Sequence, residues 1–103
     1  MTDVGLPEAD IAAINAVFRK YPQIKSVILY GSRANKTFRN GSDIDLSVFA
    51  EKLTLNELFE VEQELDDLLL PWKIDLSLFH QIEDKELLDH IKRIGIKFYN
   101  RGK

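Results

Sequence analysis

The chain contains no cysteine, which excludes disulfides, thiolate metal centres and cysteine nucleophiles and suits a reducing compartment. No apolar run approaches the roughly 20 residues needed to cross a bilayer. The opening Met1-Thr2-Asp3-Val4 lacks the basic and apolar regions of a secretory signal, so a soluble, cytoplasmic protein without membrane association is expected. Positive charge is not in excess either. The formal net charge is -3, whereas a surface built to coat nucleic acid needs clustered Lys and Arg, so direct nucleic acid binding is not expected. Neither a linker nor a low-complexity tract interrupts the sequence.

What is there fits one small domain spanning residues 1–103, with 45% apolar and 30% charged residues. At this length folding buries only roughly 60–70% of the surface an unfolded chain exposes, and there is no room for a second lobe. Pro7 suits the first turn of a helix whose Ile11, Ile14, Val17 and Phe18 recur at helical spacing until Tyr21-Pro22. Ile24 to Tyr30 is short and rich in β-branched residues, which predicts a buried strand. Gly31-Ser32 then makes a tight turn, Arg33 to Thr37 a brief helix, and Asn40-Gly41 a second turn before a strand from Asp43 to about Phe49.

Thr54 and Glu57 match a capping box, opening a helix with Leu55, Leu58, Phe59, Glu62, Leu65 and Leu69 as its stripe and Pro71 as its end. Trp72 to Phe79 predicts a third strand. Asp84 to Ile94 predicts a last helix, with Leu87, Leu88, Ile91 and Ile94 inward and Gly95 as its stop. Ile96 to Tyr99 is a candidate short strand. The order predicts an α/β domain with a small mixed β-sheet flanked by helices.

One pattern occurs twice: Ser42-Asp43-Ile44-Asp45-Leu46-Ser47-Val48-Phe49, then Ile74-Asp75-Leu76-Ser77-Leu78-Phe79. Each Ile-Asp-Leu-Ser stretch alternates apolar and polar residues, as a strand does when it buries Ile and Leu and turns Asp and Ser to the other face. Asp43 and Asp45 therefore share a face. If the second stretch lies beside the first in comparable register, Asp75 joins them, and three mutually repelling carboxylates call for a cation. Hard oxygen ligands without His or Cys select Mg²⁺, with Mn²⁺ as the alternative. The Gly31-Ser32 turn adds backbone amides and a hydroxyl where a phosphate can bind. Either element alone is ambiguous, because such turns and Asp pairs also arise for backbone reasons. Together they describe a Mg-nucleotide site that acts on phosphorus.

Gly31-Ser32-Arg33-Ala34, Gly41-Ser42-Asp43-Ile44-Asp45-Leu46 and Ile74-Asp75-Leu76 together resemble the minimal nucleotidyltransferase (MNT) family of the DNA polymerase beta superfamily, over nearly the whole chain. The resemblance implies a polymerase beta-like nucleotidyltransferase fold and an enzyme of the protein adenylyltransferase type. Asp43, Asp45 and Asp75 would be catalytic and metal-binding, the first two for both ions and Asp75 for one ion and the acceptor proton. Gly31, Ser32, Arg33 and Ser42 would bind the nucleotide, with ATP the expected substrate. The resemblance further implies a HEPN-domain toxin as partner, AMP transfer onto a toxin tyrosine, and an antitoxin role in a toxin-antitoxin module. Two alternatives stand beside it: a non-catalytic antitoxin or regulatory subunit that neutralises its partner by binding, and a nucleotidyltransferase acting on a small molecule such as an aminoglycoside.

Other residues have plainer readings. Asp45 could pair with Lys73 across the sheet, and Arg33 could be solvated or ion-paired. Ser47 and Ser77 suit backbone or partner hydrogen bonds, since the pattern holds no His-Asp arrangement to activate them. His80 and His90 stand isolated in the sequence, and His80 reads as a surface or strand-end residue. The acidic run Glu57 to Asp67 is a solvated helix face or a docking face for a basic partner. Trp72, Phe79, Phe98 and Tyr99 suit a core or a subunit contact, and homo-oligomerisation is left open.

Overall fold

The computed structural model describes residues 4–102; Met1 to Asp3, on which the signal-sequence reading rests, lie outside that range. The first helix, α1, spans Glu8–Arg19. Pro7 sits at its cap with φ -61°, and its carbonyl accepts from the amides of Asp10 and Ile11, so the proline begins the helix as its fixed φ favours. Ile14, Val17 and Phe18 form the buried face of α1.

Four strands follow in one sheet: β1 (Ser26–Tyr30), β2 (Ile44–Phe49), β3 (Ile74–Leu78) and β4 (Ile96–Asn100), in the spatial order β3-β2-β1-β4. The central strand β1 runs antiparallel to β2 and β4, while β2 and β3 are parallel. A parallel pair needs a crossover, and the helix α3 (Leu55–Asp66) supplies it. The sheet is therefore mixed, as the sequence predicts. The strand at the chain's end is a regular edge strand, with a shift of register between Val27 and Ile28 of β1.

The core lies on one face of this sheet. Ile44, Leu46 and Val48 of β2 and Val27 and Leu29 of β1 are fully buried against Ile14 and Phe18 of α1 and Val61 of α3. On the opposite face stands α4 (Lys85–Ile94), packed against β1 and capped by Asp84 Oδ1, which accepts from the Glu86 amide at 2.9 Å. A short helix, α2 (Ser32–Asn35), and a 3-10 turn (Phe79–Gln81) complete the fold.

Two expectations fail in α3. The capping box is present, with the Glu57 amide donating to Thr54 Oγ1 and the Thr54 amide to Glu57 Oε1. The helix ends at Asp66, however, five positions before Pro71, and the chain turns through Leu69 in a left-handed conformation (φ 56°). Of the expected stripe Leu58 and Leu65 do face inward, joined by Val61, whereas Leu55, Phe59 and Leu69 are 61%, 57% and 87% exposed. The rotation of α3 is held by its acidic side: Glu57 accepts from Gln23, and Glu64 accepts from both Lys20 and the Tyr21 hydroxyl of the α1 end. The contacts with Lys20 and Tyr21 hold the Glu64 carboxyl below its ordinary value, while burial of the phenol, and then the bond to Glu64, push the Tyr21 hydroxyl well up. Part of the acidic run is thus a packing seam rather than a free face.

Candidate active site

β2 and β3 align Ile44 with Ile74, Asp45 with Asp75, Leu46 with Leu76 and Ser47 with Ser77. The repeated pattern therefore lies side by side in register, with neighbouring strands about 4.8 Å apart. Asp45 and Asp75 face the same side of the sheet, opposite the main core, and Tyr30 of β1 flanks Asp45 from the other neighbour. Asp43, two residues before Asp45, stands exposed at the start of β2.

The carboxylates feel one another. Burial pushes the Asp45 carboxyl above its ordinary value, and the charges of Asp75 and Asp43 push it further, while His90 and Lys73 pull it back. Lys73 acts from a distance: among the described residues it forms no ion pair with Asp45. Tyr30 is likewise raised, by burial and by the charges of Asp45 and Asp75, with the Ser77 hydroxyl opposing. The local field is negative. Among the described residues no group of three His, Asp or Glu side chains is already arranged to hold a metal ion. The donor set nevertheless fits a hard divalent cation: oxygen atoms only, and a half-buried carboxylate destabilised by two others.

The Gly31-Ser32 turn lies directly beside this patch. Gly31 has φ 76° and ψ -155°, a conformation open to glycine, and a Cβ there would overlap Asp45 Oδ2. Ser32 opens α2, whose first amides have no intrahelical acceptors. Ser32 and the chain at Gly31 are thus next to Asp45. The Gly31 amide itself is engaged, donating to His90 Nε2 at 3.1 Å.

Arg33, expected to bind nucleotide, is placed otherwise. Arg33 is 1% exposed. Its guanidinium donates to the carbonyls of Val4 (2.8 Å), Gly5 (3.3 Å) and Ser42 (2.9 and 3.2 Å), and it lies 5.2 Å from the Phe38 ring and 5.6 Å from the Trp72 ring. Burial pulls its pKa down, and its donors are spent on main-chain oxygens, so it fastens the segment before α1 to the loop before β2. Ser42 Oγ accepts from the Arg39 amide at 2.8 Å and shapes the same loop. Both residues set where Asp43 emerges, and Arg33 has its donors spent on main-chain oxygens.

His90 is the residue that sequence reasoning missed. It touches Gly31, meets the edge of the Tyr30 ring at 6.2 Å between centroids, and influences Asp45. Its sequence signal is its spacing in α4, three residues after Leu87 and four before Ile94, which puts it on the same face as both. His80 is exposed, as expected. Farther along the same face Phe49 and Phe79 stack at 4.2 Å, beside small cavities that also take in Lys25, His80, Ile28 and Ile91. A larger cavity of about 610 Å³ lies by β4 and α1, lined by Asn15, Arg19, Lys97 and Arg101 among others, and contains none of the three aspartates.

With this geometry in place, the comparisons are specific. Residues 12–103 match the family model Polymerase beta, Nucleotidyltransferase, and the chain belongs to that family. Its fold is similar to a chain of a toxin-antitoxin complex crystallised with AMP-PNP, at 25% identity and TM-score 0.70 over 92% of this chain and 74% of that one. It is also similar in fold to a chain of the MntA-HepT toxin-antitoxin structure (20% identity, TM-score 0.66, 93% and 74% covered). A third similarity is to a structure of a tri-AMPylated Shewanella oneidensis HEPN toxin in complex with an MNT antitoxin (21% identity, TM-score 0.67, 92% and 73% covered). Curated protein sequences give no match. No helix among the described residues is long and apolar enough to cross a membrane.

Proposed function

We propose that this nucleotidyltransferase domain is a Mg²⁺-dependent adenylyltransferase that moves AMP from ATP onto a tyrosine hydroxyl of a HEPN ribonuclease toxin and so acts as its antitoxin. The observation that carries the chemistry is the register of β2 and β3, which sets Asp75 beside Asp45 at the Gly31-Ser32 turn. The AMP-PNP and HEPN complexes of similar fold support the nucleotide and the partner.

In this reading Ser32, with the amides that open α2, holds the distal phosphates. Asp43, Asp45 and Asp75 would hold Mg²⁺, or Mn²⁺ in its place. A bound ion would supply charge neutralisation at the phosphates and would acidify the acceptor hydroxyl. Asp75, exposed on an edge strand, is open to an incoming protein and takes the proton of the acceptor hydroxyl. The hydroxyl oxygen bonds to the α-phosphorus, the bond from that phosphorus to the bridging oxygen breaks, and pyrophosphate leaves.

The second reading is neutralisation by binding alone, with the nucleotide site kept but turning over little. The experiment that decides is transfer of label from α-labelled ATP to protein in source-cell extract, with wild type beside the Asp43→Asn, Asp45→Asn double variant. A Mg²⁺-dependent band with wild type alone supports transfer and identifies the acceptor. A variant that labels nothing yet still silences the toxin overturns catalysis in favour of occlusion.

A further inference from the structure

The turn that adjoins Asp45 lacks the means to hold itself. α2 has four residues, its N-cap is Gly31, and no side chain caps it from within the turn. Glycine in an extended φ-positive conformation has alternatives that other residues do not, so its native geometry must be fixed from outside. The fixing contact comes from 59 residues away: Gly31 N-H donates to His90 Nε2 at 3.1 Å, in a partly buried setting. Nε2 accepts this bond through its ring lone pair. The same ring lies edge-on to Tyr30, the residue preceding the turn, and α4 is itself packed on β1. His90 therefore holds both residues at the strand-to-turn junction, on the face where Asp45 stands.

We propose that His90 is a positioning residue for the nucleotide-binding turn. Its imidazole supplies the missing cap, setting the Gly31 main chain against Asp45 and thereby the placement of Ser32. The contact also explains which donors remain for a phosphate: with the Gly31 amide committed to His90, the Ser32 hydroxyl and the amides that open α2 do that work. The role in nucleotide binding rests on the function proposed above, whereas the contact itself does not.

The test uses the whole domain and two substitutions. His90→Gln places an amide oxygen near the position of Nε2 and retains an acceptor; His90→Leu fills similar space and removes it. The Gly31 amide resonance in a ¹H-¹⁵N spectrum reads the contact, and calorimetric titration with Mg-ATP reads the consequence. The Leu variant should shift the Gly31 resonance and weaken Mg-ATP binding about tenfold, in the range seen when supporting contacts of a site are lost. The Gln variant should restore most of both. A folded Leu variant with unchanged Gly31 resonance and unchanged affinity overturns the proposal, as does equal impairment of the two variants. If wild type binds no Mg-ATP, the nucleotide reading falls and the positioning role with it. A Gly31 shift in the Leu variant would then leave only a structural contact.

Discussion

β2 and β3 present nearly the same five residues, Ile44-Asp45-Leu46-Ser47-Val48 and Ile74-Asp75-Leu76-Ser77-Leu78, in register and in the same direction. Their surroundings differ. β2 lies between two strands, with Ile44, Leu46, Ser47 and Val48 at 0% exposure; β3 is an edge strand of which only Leu78 is buried. The same carboxylate is consequently two chemical objects. Asp45 is half-buried beside the Gly31 turn with its ionised form penalised, while Asp75 faces solvent where a partner can reach it. In the proposed reaction the burial of the motif, rather than its letters, would set which copy lies deeper in the site and which copy meets the acceptor.

The largest expected effect removes the chemistry from each strand in turn. Asp45→Asn and Asp75→Asn should each lower AMP transfer by about 10²–10⁴-fold, the range for loss of a positioned acid-base group. Pyrophosphate release measures it. Equal residual activity for wild type and Asp75→Asn would show that the edge strand takes no part.

Next come the core-facing leucines, which separate the strands by stability alone. Leu46→Ala leaves a cavity at a site with no exposure and should cost about 3–5 kcal/mol, while Leu76→Ala, only partly buried, should cost about 1–2 kcal/mol. Urea unfolding of both variants checks the ratio. Equal losses would mean that the edge strand is covered in solution.

Titration sharpens the contrast further. Because the Asp45 carboxyl is raised in the folded state, the folded protein holds its proton more tightly than the unfolded chain does. Stability from this group is therefore full below the ordinary aspartate value of 3.8 and is lost as pH rises through the raised folded value. Asp45→Asn should abolish that loss and make the domain more stable than wild type at neutral pH, with the two converging in acid. Mg²⁺ should raise the melting temperature of wild type and not of the variant. A neutral-pH melting temperature below that of wild type would contradict this account of Asp45.

Much of this was legible in the residues. The alternation of Ile-Asp-Leu-Ser, with period two, is a strand signal strong enough to place Asp45 and Asp75 on one face, and the register follows because slipping by one residue would bury the aspartates. Thr54 and Glu57 announced their helix through a local, self-contained hydrogen-bond pair. What failed was non-local. Arg33 reads as a phosphate ligand beside a Gly-Ser turn, and nothing nearby in sequence tells that Val4, Gly5 and Ser42 claim its guanidinium. Leu55, Phe59 and Leu69 fit a helical stripe together with Leu58 and Leu65, yet the fold turns only Leu58 and Leu65 inward, beside Val61. The choice between them is made by Lys20, Tyr21 and Gln23, which grip Glu64 and Glu57 from the end of α1. His90 acquires its place only when α4 folds across β1.

The smallest effect concerns Ser47 and Ser77, which face each other across the two strands. Both hydroxyls are buried, and neither Oγ closes a hydrogen bond of regular geometry, although Ser77 lies close enough to the Tyr30 phenol to influence it. A buried hydroxyl without a partner carries its desolvation cost uncompensated, so its removal should help rather than harm. Ser47, at 0% exposure, carries the full cost, whereas Ser77 sits on the more open strand. Ser47→Ala should stabilise the domain by up to about 1 kcal/mol, and Ser77→Ala should fall within about 0.5 kcal/mol of wild type. Thermal unfolding of the two variants at one pH is sufficient. If Ser47→Ala destabilises instead, its hydroxyl has a partner in solution, most simply an ordered water between the strands and α4, and the central strand is then as well satisfied as the edge.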